Sequence, residues 1–167
     1  LSQKEKILLS KEKPWGLILF KRNIKSSIQI KKLIAQIKKL TKDKKFPIII
    51  DEEGLFVSRL VNIIDHNIDA NFFGNLYKIN SNVALNLYKS YLNSLCKNLK
   101  AIGININTIP VLDVLRKNTN KIIGKRAFSQ NEKVVKQLGE KTINQCHSNN
   151  IATVIKHIPG HGCSTID

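Results

Sequence analysis

Four short apolar runs, separated by long amphipathic stretches, constrain this chain more than any other feature. They are Gly16-Leu17-Ile18-Leu19-Phe20, Pro47-Ile48-Ile49-Ile50, Asn107-Thr108-Ile109-Pro110-Val111-Leu112 and Ala152-Thr153-Val154-Ile155-Lys156. Continuously apolar rather than alternating, they predict strands buried on both faces, as in a parallel sheet covered by helices. Between the first two, Ile30, Leu33, Ile34, Ile37 and Leu40 recur at helical spacing, with Lys on the other face. A second helix is expected from about Ser81 to Lys100, with Val83, Leu87, Tyr91, Leu95 and Leu99 as its apolar stripe and Gly103 as its stop. A third runs from about Asn131 to Asn149 through Val135, Leu138 and Thr142, with Ser129 as its N-cap. Strand and helix in alternation make βα units.

The residues that close the strands choose between architectures. Asp51 follows the second strand, Asp113 the third and His157 the fourth, which would bring them together at the C-terminal face of a (β/α)8 barrel. A dinucleotide-binding domain needs a Gly-rich turn after its first strand, and Phe20-Lys21-Arg22-Asn23 stands there instead. The expected fold is therefore α/β, an incomplete (β/α)8 TIM barrel, roughly its first half, since a whole barrel takes about 250 residues. A start at Leu1 and the lack of any Met add the expectation that residues are missing ahead of Leu1 as well as after Asp167. Half a barrel would expose a parallel edge and aggregate by itself.

A net charge of +16 raises the question of nucleic acid. The 28 basic residues include only 4 Arg, the Lys are scattered, and aromatic content is 6%, whereas base readout leans on Arg and single strands stack on aromatic rings. The charge is read as a solvated surface, with no nucleic-acid partner expected. No apolar run approaches the roughly 20 residues of a membrane helix, and Leu1 to Leu9 has no signal-peptide pattern. Cys96, Cys146 and Cys163 lack paired spacing, which favours a reducing, cytoplasmic setting over a disulfide framework or zinc site. Cys96 and Cys146 fall in helical patterns as packing residues, and Cys163 is read as an ordinary free thiol. Neither a cofactor nor a metal is called for, and oligomeric state is left open.

Three segments carry candidate chemistry. Asp51-Glu52-Glu53-Gly54, with Arg59 beyond, offers carboxylates that accept from vicinal hydroxyls and a guanidinium that donates to ring substituents; an ordinary acidic loop has the same composition. Asp113 precedes Ile122-Ile123-Gly124-Lys125-Arg126-Ala127-Phe128-Ser129, where Arg126 is a second donor, Gly124 suits a tight turn and Phe128 can hold the loop. Asp113 as a cap for backbone donors and Arg126 as a surface residue are the competing accounts. Lys156-His157-Ile158-Pro159-Gly160-His161-Gly162 is the least ordinary stretch, crowding two His, a Lys, a Pro and two Gly into seven residues. A zinc pair from His157 and His161 is the alternative there, without a clear third ligand.

Taken in order, these segments resemble the family 3 glycoside hydrolases, most closely bacterial β-N-acetylglucosaminidases of the peptidoglycan-recycling type. Gly16 to Asn23, Ile50 to Gly54, Pro110 to Asp113, Ile123 to Ser129 and the Lys-His-x-Pro-Gly-His-Gly run carry the resemblance, which covers nearly the whole chain. It implies that residues 1–167 are the N-terminal part of a catalytic barrel. It also implies that Asp51, Arg59, Arg126, Lys156 and His157 bind an N-acetylglucosamine unit, with Asp113 and His161 in support. By the same resemblance Asp167 orients a His acid/base two residues further on, and a separate Asp beyond is the nucleophile of a retaining mechanism. Both groups would then lie outside this sequence, leaving the fragment inactive. Two positions depart from the family's pattern. Leu55-Phe56 stands where a second Gly and an Arg are usual, and Cys163 follows the second His-Gly. A non-catalytic sugar-binding or structural half-barrel is the rival reading.

Overall fold

The computed structural model describes residues 1–165. Helix α1 (Gln3–Lys11) leads into β1 (Leu17–Leu19), then α2 (Ser27–Thr41), β2 (Ile48–Ile50), α3 (Ala70–Ile79) and α4 (Ser81–Ile102). β3 (Ile106–Asn107), α5 (Glu132–Ser148) and β4 (Ala152–Thr153) complete the order. The four strands form one parallel sheet in sequence order, with Leu17 beside Ile48, Ile49 beside Ile106, and Ile106 beside Ala152. This is the expected βα succession, seen as an open four-stranded sheet.

The strands are shorter than the apolar runs. β3 and β4 pair over two residues each, and the same two segments meet again at Val111 and Lys156. There the Lys156 N–H donates to the Pro110 carbonyl and the Leu112 N–H to the Lys156 carbonyl. Pro110, which has no N–H to give, lies in the gap between the two stretches of pairing.

Ile30, Ile34 and Ile37 of α2 are buried, and so are Val135, Leu138 and Thr142 of α5, as their spacing predicts. The stripe of α4 holds at Leu95 and Leu99 but is rotated in the first half of the helix. Ala84, Tyr88, Leu92, Leu95, Cys96, Leu99 and Ile102 face the core, while Val83 and Leu87 are 50% and 42% exposed. The rotation puts the Tyr88 hydroxyl 2.8 Å from Thr142 Oγ1 of α5, so a polar group excluded from a simple apolar count still occupies the core. Cys96 and Cys146 meet in the same interface, Sγ to Sγ 3.7 Å, as free thiols, and Cys163 is exposed. The N-cap of α5 is Asn131 rather than Ser129, because the Asn131 carboxamide oxygen accepts from the N–H groups of Lys133 and Val134. Ser129 instead accepts from the Asn131 N–H.

Two helices escape the periodicity reading. Helix α1 buries only Leu9 and is signalled by its capping box, in which Ser2 and Glu5 exchange hydrogen bonds. Helix α3 is capped by Asp69, whose carboxylate accepts the Phe72 N–H, and meets α4 at Asn80. Its Gly74 lies so close to the Phe128 carbonyl that a Cβ would stand 1.8 Å from that oxygen. Among the described residues no helix is long and apolar enough to cross a membrane.

Candidate sugar-binding site

Because all four strands run parallel, the segments that leave them emerge at one end of the sheet. Asp51 and Glu53 leave β2, Thr108 and Asp113 follow β3, and Lys156 and His157 follow β4. Arg59 arrives from the loop after β2, with its guanidinium 5.8 Å from the centre of the Phe20 ring at the end of β1. Arg126 arrives from the 3-10 turn Gly124–Arg126.

These groups form one connected network. Asp51 Oδ2 accepts from Arg59 NH2 at 3.2 Å, and its Oδ1 accepts from the Thr108 hydroxyl at 2.5 Å and from Lys156 Nζ at 3.4 Å. Glu53 binds Arg126 through both oxygens, from Nε at 2.8 Å and NH2 at 3.0 Å, and pairs with Lys156 Nζ at 2.5 Å. Lys156 also donates to Thr108 Oγ1 at 2.9 Å. Burial opposes ionisation of Asp51, but the bonds from Thr108, Lys156 and Arg59 outweigh it and hold the carboxyl below the usual range. The Glu53 carboxylate in turn raises the Arg126 guanidinium above its ordinary value, against the effect of burial. The cluster therefore offers fixed acceptors beside fixed cationic donors. Such a pattern suits a ring bearing several hydroxyls, each of which both donates and accepts.

A second arm comes from the fourth strand's loop. Asp113 is buried; its Oδ2 stands 2.5 Å from His157 Nδ1, and its Oδ1 accepts the His161 N–H at 2.6 Å. An ionised carboxylate only accepts, so this contact places a proton on His157 Nδ1 and leaves Nε2 for another partner. The His161 ring packs edge-on against His157 at 4.8 Å, with its buried Nδ1 unpartnered among the described residues. The loop is seated by Gly162, where a Cβ would stand 2.4 Å from the Val114 carbonyl, and by a bond from the Thr119 hydroxyl to the Gly162 carbonyl.

Of the sequence candidates, Asp51, Arg59, Arg126 and Lys156 are thus brought into one cluster, with His157, Asp113 and His161 alongside. Asp167 lies outside the described residues. Among those residues no group of three or more His, Cys, Asp or Glu could hold a metal ion. Two participants carried no assigned role. Glu53 was visible only as part of an acidic run, and Thr108 was signalled by the polar Asn107-Thr108 pair inside an apolar strand. Behind the cluster, buried Asn107 bonds the backbone N–H and carbonyl of Glu52. Glu52 itself accepts from the Ser58 hydroxyl and the N–H groups of Arg59 and Leu60, which fixes the loop that delivers Arg59.

The sequence matches the family described as "Glycosyl hydrolase family 3 N terminal domain" over residues 1–167. The chain belongs to glycosyl hydrolase family 3. A beta-hexosaminidase of Xanthomonas campestris pv. campestris is 30% identical over 162 residues, 97% of this chain and 48% of that protein. The family 3 chain thus spans about half the length of the curated relatives it matches. The crystal structure of native NagZ from Neisseria gonorrhoeae superposes with a TM-score of 0.89 at 31% identity, covering 98% of this chain and 47% of NagZ. The same NagZ in complex with N-trifluoroacetyl-D-glucosamine gives a TM-score of 0.89 at 31% identity, over 98% of this chain and 48% of that one. The sheet and its helices therefore match part of a NagZ-type family 3 domain, without closing a barrel here.

Proposed function

We propose that this chain is the substrate-binding part of a β-N-acetylglucosaminidase that removes terminal, non-reducing β-linked N-acetylglucosamine, in peptidoglycan recycling. The observation that carries the proposal is the convergence of Asp51, Arg59, Arg126 and Lys156 from different strand ends into one bonded network, with His157 beside it. The Neisseria relative solved with N-trifluoroacetyl-D-glucosamine supports the choice of sugar. In this reading Asp51 accepts from ring hydroxyls, Arg59, Arg126 and Lys156 donate to them, and His157 offers Nε2. Asp113 and His161 hold the loop that carries His157.

Bond cleavage would follow the retaining course. A His acid/base, oriented by Asp167, protonates the departing oxygen while a carboxylate attacks the anomeric carbon. Water then hydrolyses the glycosyl-enzyme, with the same His acting as base. We place both of those groups in the half of the relatives' length that this chain does not cover, and the protein in the cytoplasm. The test is hydrolysis by the natural full-length protein of an aryl β-N-acetylglucosaminide against the matching β-glucoside. Preference for the acetamido sugar, with net retention at the anomeric carbon by NMR, is the expected result. Preference for glucoside, inversion, or no hydrolysis overturns the reading.

A further inference from the structure

Arg59, Arg126 and Lys156 face Asp51, Glu53 and Asp113, so cations and carboxylates balance in the site of a chain whose net charge is +16. The balance is not shared evenly. Asp113 is committed to the His157 ring and the His161 N–H. Asp51 serves Arg59 and reaches Lys156 only at 3.4 Å. Glu53 holds its two cations more closely, bidentate on Arg126 at 2.8 and 3.0 Å and 2.5 Å from Lys156, with its side chain only 7% exposed. Without it, Arg126 would keep the Ile122 carbonyl, and Lys156 would keep Thr108 and the longer contact to Asp51.

An Arg with no carboxylate partner beside a Lys that keeps only the 3.4 Å contact to Asp51 leaves excess positive charge, which favours phosphate or sulfate. A buried carboxylate between them removes that attraction, and its field at short range repels an incoming anion. Uncharged hydroxyls need only donors in fixed directions, which the same carboxylate provides by holding both cations still. We propose that Glu53 is a positioning residue that sets the ligand class, admitting a neutral sugar ring and refusing phosphorylated or carboxylated ones. The proposal deepens the glycosidase reading and rests on its placing the sugar at this cluster.

The test uses the natural full-length protein with Glu53→Gln and Glu53→Asp, a neutral aryl β-N-acetylglucosaminide as substrate and inorganic sulfate as probe. In wild type, sulfate is expected to leave KM unchanged at constant ionic strength. In Glu53→Gln, KM should rise about tenfold or more, the scale of one lost charge-assisted bond, and sulfate should become a competitive inhibitor. Glu53→Asp keeps the charge with a shorter reach, so KM should rise while sulfate stays without effect. A Glu53→Gln protein with wild-type KM, or one still indifferent to sulfate, overturns the proposal. Should Glu53→Gln fail to fold, Glu53→Asp decides, and a wild-type KM there overturns it. If wild type hydrolyses no acetamido sugar, the glycosidase reading falls separately. Sulfate binding measured by calorimetry then decides the charge role: binding to Glu53→Gln but not wild type supports it, and no difference overturns it.

Discussion

His66 Nε2 lies 2.6 Å from Glu52 Oε1, and both side chains are buried. The pair closes a ring of contacts in which Glu52 also takes the Ser58 hydroxyl and the N–H groups of Arg59 and Leu60. On the far side of the imidazole, the Tyr91 hydroxyl of α4 stands 3.2 Å from Nδ1. A single carboxylate thus ties the Arg59 loop to the core helix, although it does not join the Asp51 cluster itself.

Removing that carboxylate should unfasten the loop. Glu52→Ala leaves two backbone donors, a hydroxyl and the imidazole without their buried acceptor, a loss of about 3–5 kcal/mol by analogy with other broken buried pairs. Glu52→Gln keeps the volume but turns one acceptor into a donor facing donors, for a loss of about 1–3 kcal/mol. Urea unfolding of the natural full-length protein measures both. An unchanged midpoint for Glu52→Ala would show that the loop is held by something else.

Gly74→Ala tests the packing that seats Arg126. The added Cβ would meet the Phe128 carbonyl at 1.8 Å, a backbone atom that cannot swing aside, so α3 and the segment after Arg126 must separate. Overpacking of this kind costs about 1–3 kcal/mol, more than the small gain Ala brings to a helix. The expected outcome is a lower melting temperature together with a raised KM, because Phe128 is two residues from Arg126. A variant as stable as wild type would place Gly74 outside the constraint.

How far the sequence reached depends on what each signal required. The strands were legible as unbroken apolar runs such as Ile48-Ile49-Ile50, but burial on both faces does not hold throughout, since Ile18 of β1 and Ala152 of β4 are exposed; α2 and α5 were legible because one clear face of each is apolar. Helix α1 was not, since it buries little beyond Leu9, nor was α3, where Gly74 and the adjacent Phe72-Phe73 blur the period. The α4 stripe was drawn through Val83 and Leu87 because they are apolar, whereas packing against α5 selected Tyr88. In the site, resemblance named the groups, but the partnership of Glu53 with Arg126 spans 73 positions. That of Thr108 with Asp51 spans 57. Both become visible only when strand ends are set side by side.

Arg126→Lys should behave as a severe change despite the retained charge. The guanidinium makes two parallel bonds to Glu53 and a third to the Ile122 carbonyl, whereas an ammonium on a shorter fork-less stem cannot reproduce that geometry. The expectation is a KM increased about tenfold, with the melting temperature less affected than in Gly74→Ala. Steady-state kinetics on the neutral substrate and a thermal melt separate the two effects. A Lys variant with wild-type KM would remove Arg126 from the binding set.

Asp51 gives a prediction in pH. Its carboxyl is held below the usual range in the folded protein, since the bonds from Thr108, Lys156 and Arg59 outweigh the effect of burial. A lowered folded value means that the ionised group favours the fold fully above its ordinary value of about 4. This support is then lost as pH falls through the still lower folded value. The stability difference between wild type and Asp51→Asn should therefore stay constant from about pH 7 to pH 5 and shrink only below about pH 4. Binding of the neutral sugar through the Asp51 acceptor should hold over the same upper range. Denaturant midpoints for the two proteins across this series, with calorimetric sugar binding alongside, make the measurement. A difference that already vanishes between about pH 6 and pH 5 would mean that the Lys156 and Thr108 contacts do not hold Asp51 ionised.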